Sequence, residues 1–233
     1  RHRYVLGLYK VLEAVTQRFP ELLLEGCSGG GGRFDAGMLY YCPQIWCSDN
    51  TDAIERLRIQ YGTSFGYPMS SVSAHVSVCP NHQNHRVTPF KTRGICAMQG
   101  TFGYELDLSK MTDEEKKMAG EQIAFFKEHG RLFQFGDYYR LTSPFENRDY
   151  TVWEYAAQDG SEACMSVVYT DMYANAASEI VKWKGLDPKK VYQMQLDGED
   201  AGNFSGAALM HAGILLPLPE QNYDAFQIYL KAE

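Results

Sequence analysis

The residues able to do chemistry crowd into one stretch, Glu21 to Asp52. Asp49 lies just past a short apolar run, Gln44–Cys47, with Trp46 near its end and Ser48 between. A carboxylate placed there suits general acid or base work. The same Ser48–Asp52 segment also suits helix capping, since Asp49, Asn50 and Asp52 are all good caps, and both readings stay open. Upstream, Leu22–Leu24 leads into Gly26-Cys27-Ser28 and then four glycines, Gly29–Gly32. Consecutive glycines strip side chains from the backbone and let a ligand approach exposed N–H groups, although a flexible turn is the plainer use. The run fits neither the dinucleotide fingerprint nor the P-loop, so no nucleotide cofactor is expected. Cys27 as a nucleophile would need a base, and none is identifiable. Cys79-Pro80-Asn81-His82 with His85 offers an incomplete set of metal ligands, so the expectation is a loop and no metal.

A buried strand that stops at small or acidic residues and feeds a helix is the βα edge of an α/β barrel, where catalytic groups sit. The chain supplies the remaining pieces. Tyr4–Phe19 is a predicted helix with an apolar stripe of Leu8, Val11, Leu12, Val15 and Phe19. Leu22–Leu24, Gln44–Cys47, Ala74–Val78 and Thr101–Leu106 are predicted strands. Thr51 is a candidate cap for a helix carrying Ile54, Leu57 and Tyr61. Thr112 and Glu115 form a capping box for a helix that turns Ala119, Ile123 and Phe126 inward and stops at Gly130. Four βα units in a row make half of a (β/α)8 barrel.

Beyond Ser143-Pro144 the period changes to two. Val181 and Trp183, Tyr192, Met194 and Leu196, and Phe226, Ile228 and Leu230 alternate with polar residues. Gly185–Pro188 reads as a hairpin connection. The expected architecture is therefore α/β: half of a TIM barrel over residues 1–143, then a small antiparallel β-sandwich domain over 144–233.

Composition narrows the function. The 233 residues are 45% hydrophobic and 22% charged, enough for a core. A net charge of −7 without a basic block argues against nucleic acid as a partner. No apolar run approaches the ~18 residues of a membrane span, so no membrane partner is expected. Six irregularly spaced cysteines read as reduced thiols in a cytoplasmic protein. The chain starts without Met inside a helical pattern, so further sequence is expected upstream of Arg1.

Glu25–Asp35, Met38–Tyr41 and Trp46–Leu57 together resemble glycoside hydrolase family 36, the microbial α-galactosidases. The likeness continues through Ser73–Ser77, Pro80–Gln83, Gly100–Asp107 and Gln134–Asp137, and more weakly through Phe204–Gly206. The resemblance implies a catalytic (β/α)8 barrel followed by an antiparallel β domain, with a large β domain ahead of both. It implies retaining hydrolysis of α-galactoside sugars such as melibiose and raffinose, without a cofactor. Asp49 falls on the family's acid/base. Cys27, Gly29 and Gly30 fall on its galactose-binding loop, and Trp46 is a candidate substrate-binding residue beside them. The family's nucleophile lies in a Lys-Trp-Asp motif that this sequence lacks. The expectation is a C-terminal half of the enzyme, inactive alone, with barrel strands five to eight, that needs the missing N-terminal half as partner and forms a homo-oligomer, as the tetrameric family members do. Two other readings remain: a non-catalytic galactoside-binding or assembly module, and a relative that transfers galactose to an acceptor.

Overall fold

The computed structural model describes residues 1–233. In chain order the first part runs α1 (His2–Arg18), β1 (Glu25–Gly26), α2 (Ser28–Gly31), α3 (Ala36–Tyr41), β2 (Gln44–Trp46), α4 (Ala53–Thr63), β3 (Val72–Ser77), α5 (Phe90–Ala97), β4 (Thr101–Glu105), α6 (Asp113–Glu128) and α7 (Gly130–Phe135). Strands β1 to β4 form one parallel sheet in sequence order, each followed by helix. Sequential parallel pairing with helical returns is the winding of a (β/α)8 barrel, and four strands make half of it.

Strand faces divide the chemistry. On β3, Ala74 and Val76 pack against Phe90, Ala97, Met111 and Ala119 of the helical layer. Side chains alternate along a strand, so Ser73, His75 and Ser77 turn to the concave side. On β2, Ile45 packs with Met38 and Cys42, and Leu8 and Leu12 of α1 lean on that cluster.

Some sequence expectations are revised. Leu22–Leu24 is not a strand: Leu22 and Leu23 are exposed, Leu23 by 85%, and the strand is Glu25–Gly26. No residue of α1 is fully buried, and Val11 and Phe19 face solvent. Asp52, not Thr51, caps α4 through the N–H of Ile54. The Thr112–Glu115 capping box is formed as read, but α6 turns Gln122 inward while Ile123 is exposed. Gln122 is satisfied there, because Tyr104 Oη donates to its Oε1 at 2.7 Å. Gly130 does not merely stop a helix; it opens α7.

The second part comprises β5 (Asp137–Arg140), β6 (Tyr150–Ala156), β7 (Glu162–Tyr169), β8 (Ile180–Val181), β9 (Val191–Leu196), β10 (Glu199–Ser205), α8 (Gly206–His211), β11 (Ile214–Leu215) and β12 (Ala225–Ala232). A six-stranded antiparallel sheet, ordered β10-β9-β12-β7-β6-β5, is faced by the β11-β8 pair. The sheet opens at Asp137, ahead of the change in period at Ser143. Gly185–Pro188 is not a hairpin, because β8 pairs with β11 instead of β9.

Both faces of the six-stranded sheet are covered. One packs Val152, Met165, Val167, Ile228 and Leu230 against Val181, Trp183, Leu209 and Leu216. The other packs Trp153, Tyr155, Cys164, Val168 and Tyr229 against Leu57, Val72, Ile95, Leu132 and Phe133 of the barrel part. Hydrogen bonds cross the same seam: Tyr155 Oη donates to Gln99 O at 2.5 Å and Thr92 Oγ1 to Tyr223 O at 2.6 Å. No helix is long and apolar enough to cross a membrane.

Candidate active site at the carboxyl ends of the parallel strands

Trp46 ends β2 and the chain leaves the sheet through Cys47 and Ser48 to Asp49, which is exposed. Trp46 Nε1–H donates to Asp49 Oδ1 at 3.0 Å. The indole is only 7% exposed. Its ring stacks on His75 with centroids 4.7 Å apart, and the Arg56 guanidinium lies 4.5 Å from its centroid. Trp46 therefore touches the carboxylate instead of offering an open platform to a sugar.

The glycine loop reaches the same place. Gly29, Gly30 and Gly31 all have φ between +63° and +83°, the left-handed region in which glycine is least strained. A Cβ on Gly30 would stand 2.8 Å from the backbone N of Asp49 and 3.3 Å from its Cγ. One on Gly31 would stand 2.9 Å from Cys47 O. The glycines thus let the loop after β1 lie directly on the loop after β2. Cys27 is exposed at the start of that loop, and its carbonyl accepts from Gly31 N–H at 2.8 Å. Gly29 is exposed, with nothing within 4 Å of where a Cβ would be.

The two acids of Ser48–Asp52 have different surroundings. Asp52 is 2% exposed and caps α4. Its Oδ2 accepts from Asn84 Nδ2 at 2.8 Å and from Arg86 Nη1. Asp52 is therefore held as a structural ion pair, and Asp49 is the carboxylate of this segment open to a reactant.

Sequence reasoning missed the residues that hold Asp49 in place. Gln83, after β3, donates from Nε2 to Asp49 O at 2.9 Å and accepts from Thr51 N–H at 3.1 Å. Asn81 Nδ2 donates to Thr51 Oγ1 at 3.0 Å. The Pro80–His85 loop is thus a clamp on the Asp49 loop. Arg56, buried on α4, donates to the carbonyls of Ser48 at 3.2 Å and Ser73 at 2.6 Å. On the concave face Ser73 Oγ donates to Glu25 Oε1, and His75 Nδ1 meets Glu105 Oε2 at 3.0 Å. Their stretches lie within the family resemblance, and Ser73 and His75 alternate with apolar residues on β3, but neither signal assigned them this role.

Comparison with known proteins agrees with this geometry. The Melibiase family model matches residues 1–136, and the glycosyl hydrolase family 36 C-terminal domain matches residues 150–230. The bifunctional alpha-galactosidase/sucrose kinase AgaSK of Mediterraneibacter gnavus is 54% identical over 96% of this chain, and the chain spans 24% of it. Alpha-galactosidase AgaA of Geobacillus stearothermophilus is 51% identical over 99% of the chain, which spans 31% of that protein. The crystal structure of AgaA superposes with a TM-score of 0.95 at 50% identity, covering 100% of this chain and 32% of that one. A doubly substituted AgaA was solved in complex with raffinose, and that structure superposes with a TM-score of 0.94 at 50% identity over 100% of this chain and 32% of that one. With a half-barrel, a β domain and a glycine loop laid on a rim aspartate, the chain belongs to glycoside hydrolase family 36.

Proposed function

We propose that these residues form the acid/base half of a retaining α-galactosidase acting on terminal α-galactosyl groups of sugars such as melibiose and raffinose. The observation that carries the reading is the split between two neighbouring acids. Asp52 is locked by Arg86 and the start of α4, while Asp49 stands exposed beside the glycine loop with its Oδ1 on the Trp46 indole. An exposed carboxyl held by one donor can give a proton to a leaving oxygen and later take one from water. Retaining hydrolysis needs a second carboxylate roughly 5 Å away as nucleophile. The relatives' α-galactosidase activity and the raffinose bound by AgaA support galactosides as substrate.

The nucleophile has to come from outside these residues, since no Lys-Trp-Asp occurs in them. The half-barrel has partners to receive: β1 and β4 are open edges of the parallel sheet. Tyr4, Leu6 and Val11 on α1 and Leu23 just ahead of β1 also leave apolar surface exposed. Six unpaired thiols support a reducing, cytoplasmic setting.

The test is Asp49→Ala in the complete protein. Turnover of melibiose should fall steeply, and turnover of an aryl galactoside with a good leaving group should fall less, because that group departs without protonation. Azide should restore part of the rate. Unselective loss on both substrates, or the same selective pattern from Asp52→Ala, overturns the reading.

A further inference from the structure

The Trp46 indole fixes Asp49 Oδ1, so whatever fixes the indole also aims the acid. Two groups do so. Arg56 is one, but it is buried and ties the loop after β2 to the start of β3 through the carbonyls of Ser48 and Ser73. The other is His75, whose ring lies nearly parallel to the indole, at 15°. His75 projects from β3 over Gly103 of β4, its register partner. A Cβ on Gly103 would come within 3.4 Å of His75 Cδ2, so the bare backbone makes room for the ring. Glu105, two residues further along β4, sits 3.0 Å from His75 Nδ1. An ionised carboxylate only accepts, so Nδ1 carries the hydrogen, and that bond sets the ring's rotation.

We propose that His75, oriented by Glu105, is a positioning residue for Asp49 that acts through the Trp46 indole. The proposal rests on Asp49 being the acid/base. Neither His75 nor Glu105 needs to touch the sugar. Glu105 holds the imidazole, the imidazole holds the indole by stacking, and the indole N–H holds the carboxyl where the leaving oxygen arrives.

The experiment is leaving-group kinetics in the complete enzyme. His75→Ala should lower kcat/KM on melibiose by about 10- to 100-fold, the range expected when a catalytic acid is misplaced. On an activated aryl galactoside the loss should stay under about threefold, since protonation contributes little there. Glu105→Gln keeps an acceptor for Nδ1–H and should stay within about threefold on both substrates, whereas Glu105→Ala should show the selective loss. In a Trp46→Phe background His75→Ala should add almost nothing, because its route to Asp49 is gone. Equal losses on both substrates, or an additive effect in that background, overturn the proposal. Should Trp46→Phe fail to fold, the Glu105 pair decides, and equal behaviour of Ala and Gln there overturns it. If Asp49→Ala itself shows no leaving-group selectivity, the acid/base reading fails first and this inference falls with it.

Discussion

Gly29→Ala and Gly30→Ala look alike in sequence and should behave differently. Both residues have left-handed backbone, φ +63° and +72°, so alanine at either carries the strain of about 1–2 kcal/mol. At Gly29 nothing lies within 4 Å of the new methyl. At Gly30 the methyl stands 2.8 Å from the backbone N of Asp49, an atom that cannot swing aside. Overpacking of that kind costs about 1–3 kcal/mol more. Gly29→Ala should therefore lose about 1–2 kcal/mol, and Gly30→Ala about 2–5 kcal/mol unless the loop shifts. On the proposed α-galactosidase activity, a shift would move Asp49 and reappear as lost turnover of melibiose, with aryl galactosides less affected. The assays are urea unfolding and leaving-group kinetics on the complete enzyme. Equal stability and equal kinetics for the two variants would refute the claim that the glycine loop bears on the acid's backbone.

Asp52→Asn should cost about 2–4 kcal/mol in denaturant unfolding, less than for a fully buried pair because Arg86 keeps some access to water. Asp49→Asn should leave the unfolding midpoint nearly unchanged, as its side chain makes one hydrogen bond. Burial pushes the Glu154 carboxyl up to about 8, against the backbone N–H of Lys184 and the Lys184 charge, which pull it down. In the unfolded chain this carboxyl ionises near pH 4.5, so stability should decline from there to about pH 8 and then level, and Glu154→Gln should flatten the decline. The measurement is the denaturation midpoint against pH, and an unflattened slope in the variant would count against it. If the proposed function holds, Cys27→Ser should raise KM for galactosides while leaving measurable kcat, and a covalent galactosyl adduct on Cys27 would refute a binding role.

The sequence was readable where the signal was local. The capping box at Thr112 and Glu115 and the strand Thr101–Glu105 are set by residues within a few positions of each other. Leu22–Leu24 misled because three leucines state only that something apolar should cover them. Gln122 misled for the opposite reason: an inward amide is tolerated when Tyr104 meets it, and that pairing is invisible along the chain. The candidate acid was readable from its place after Trp46 and from the family resemblance, but the physical ground that sets it apart from Asp52 was not. That distinction comes from Arg86, thirty-four positions away in sequence. His75 and Glu105, thirty apart, meet only because β3 and β4 are paired in register.

The doubly covered sheet bears on how this protein can be recombined. Trp153, Tyr155, Cys164, Val168 and Tyr229 share one dry cluster with Leu57, Val72, Ile95, Leu132 and Phe133. A crossover near residue 136 would look harmless on a family map, because it falls between two matched regions. In the folded chain it would run its seam through close-packed side chains, where parents differing by single methylenes clash or leave voids. Productive chimeras should therefore inherit the barrel helices and the whole antiparallel sheet from the same parent, and exchange only exposed connecting segments, such as the one between β7 and β8, with the strands on both sides kept together.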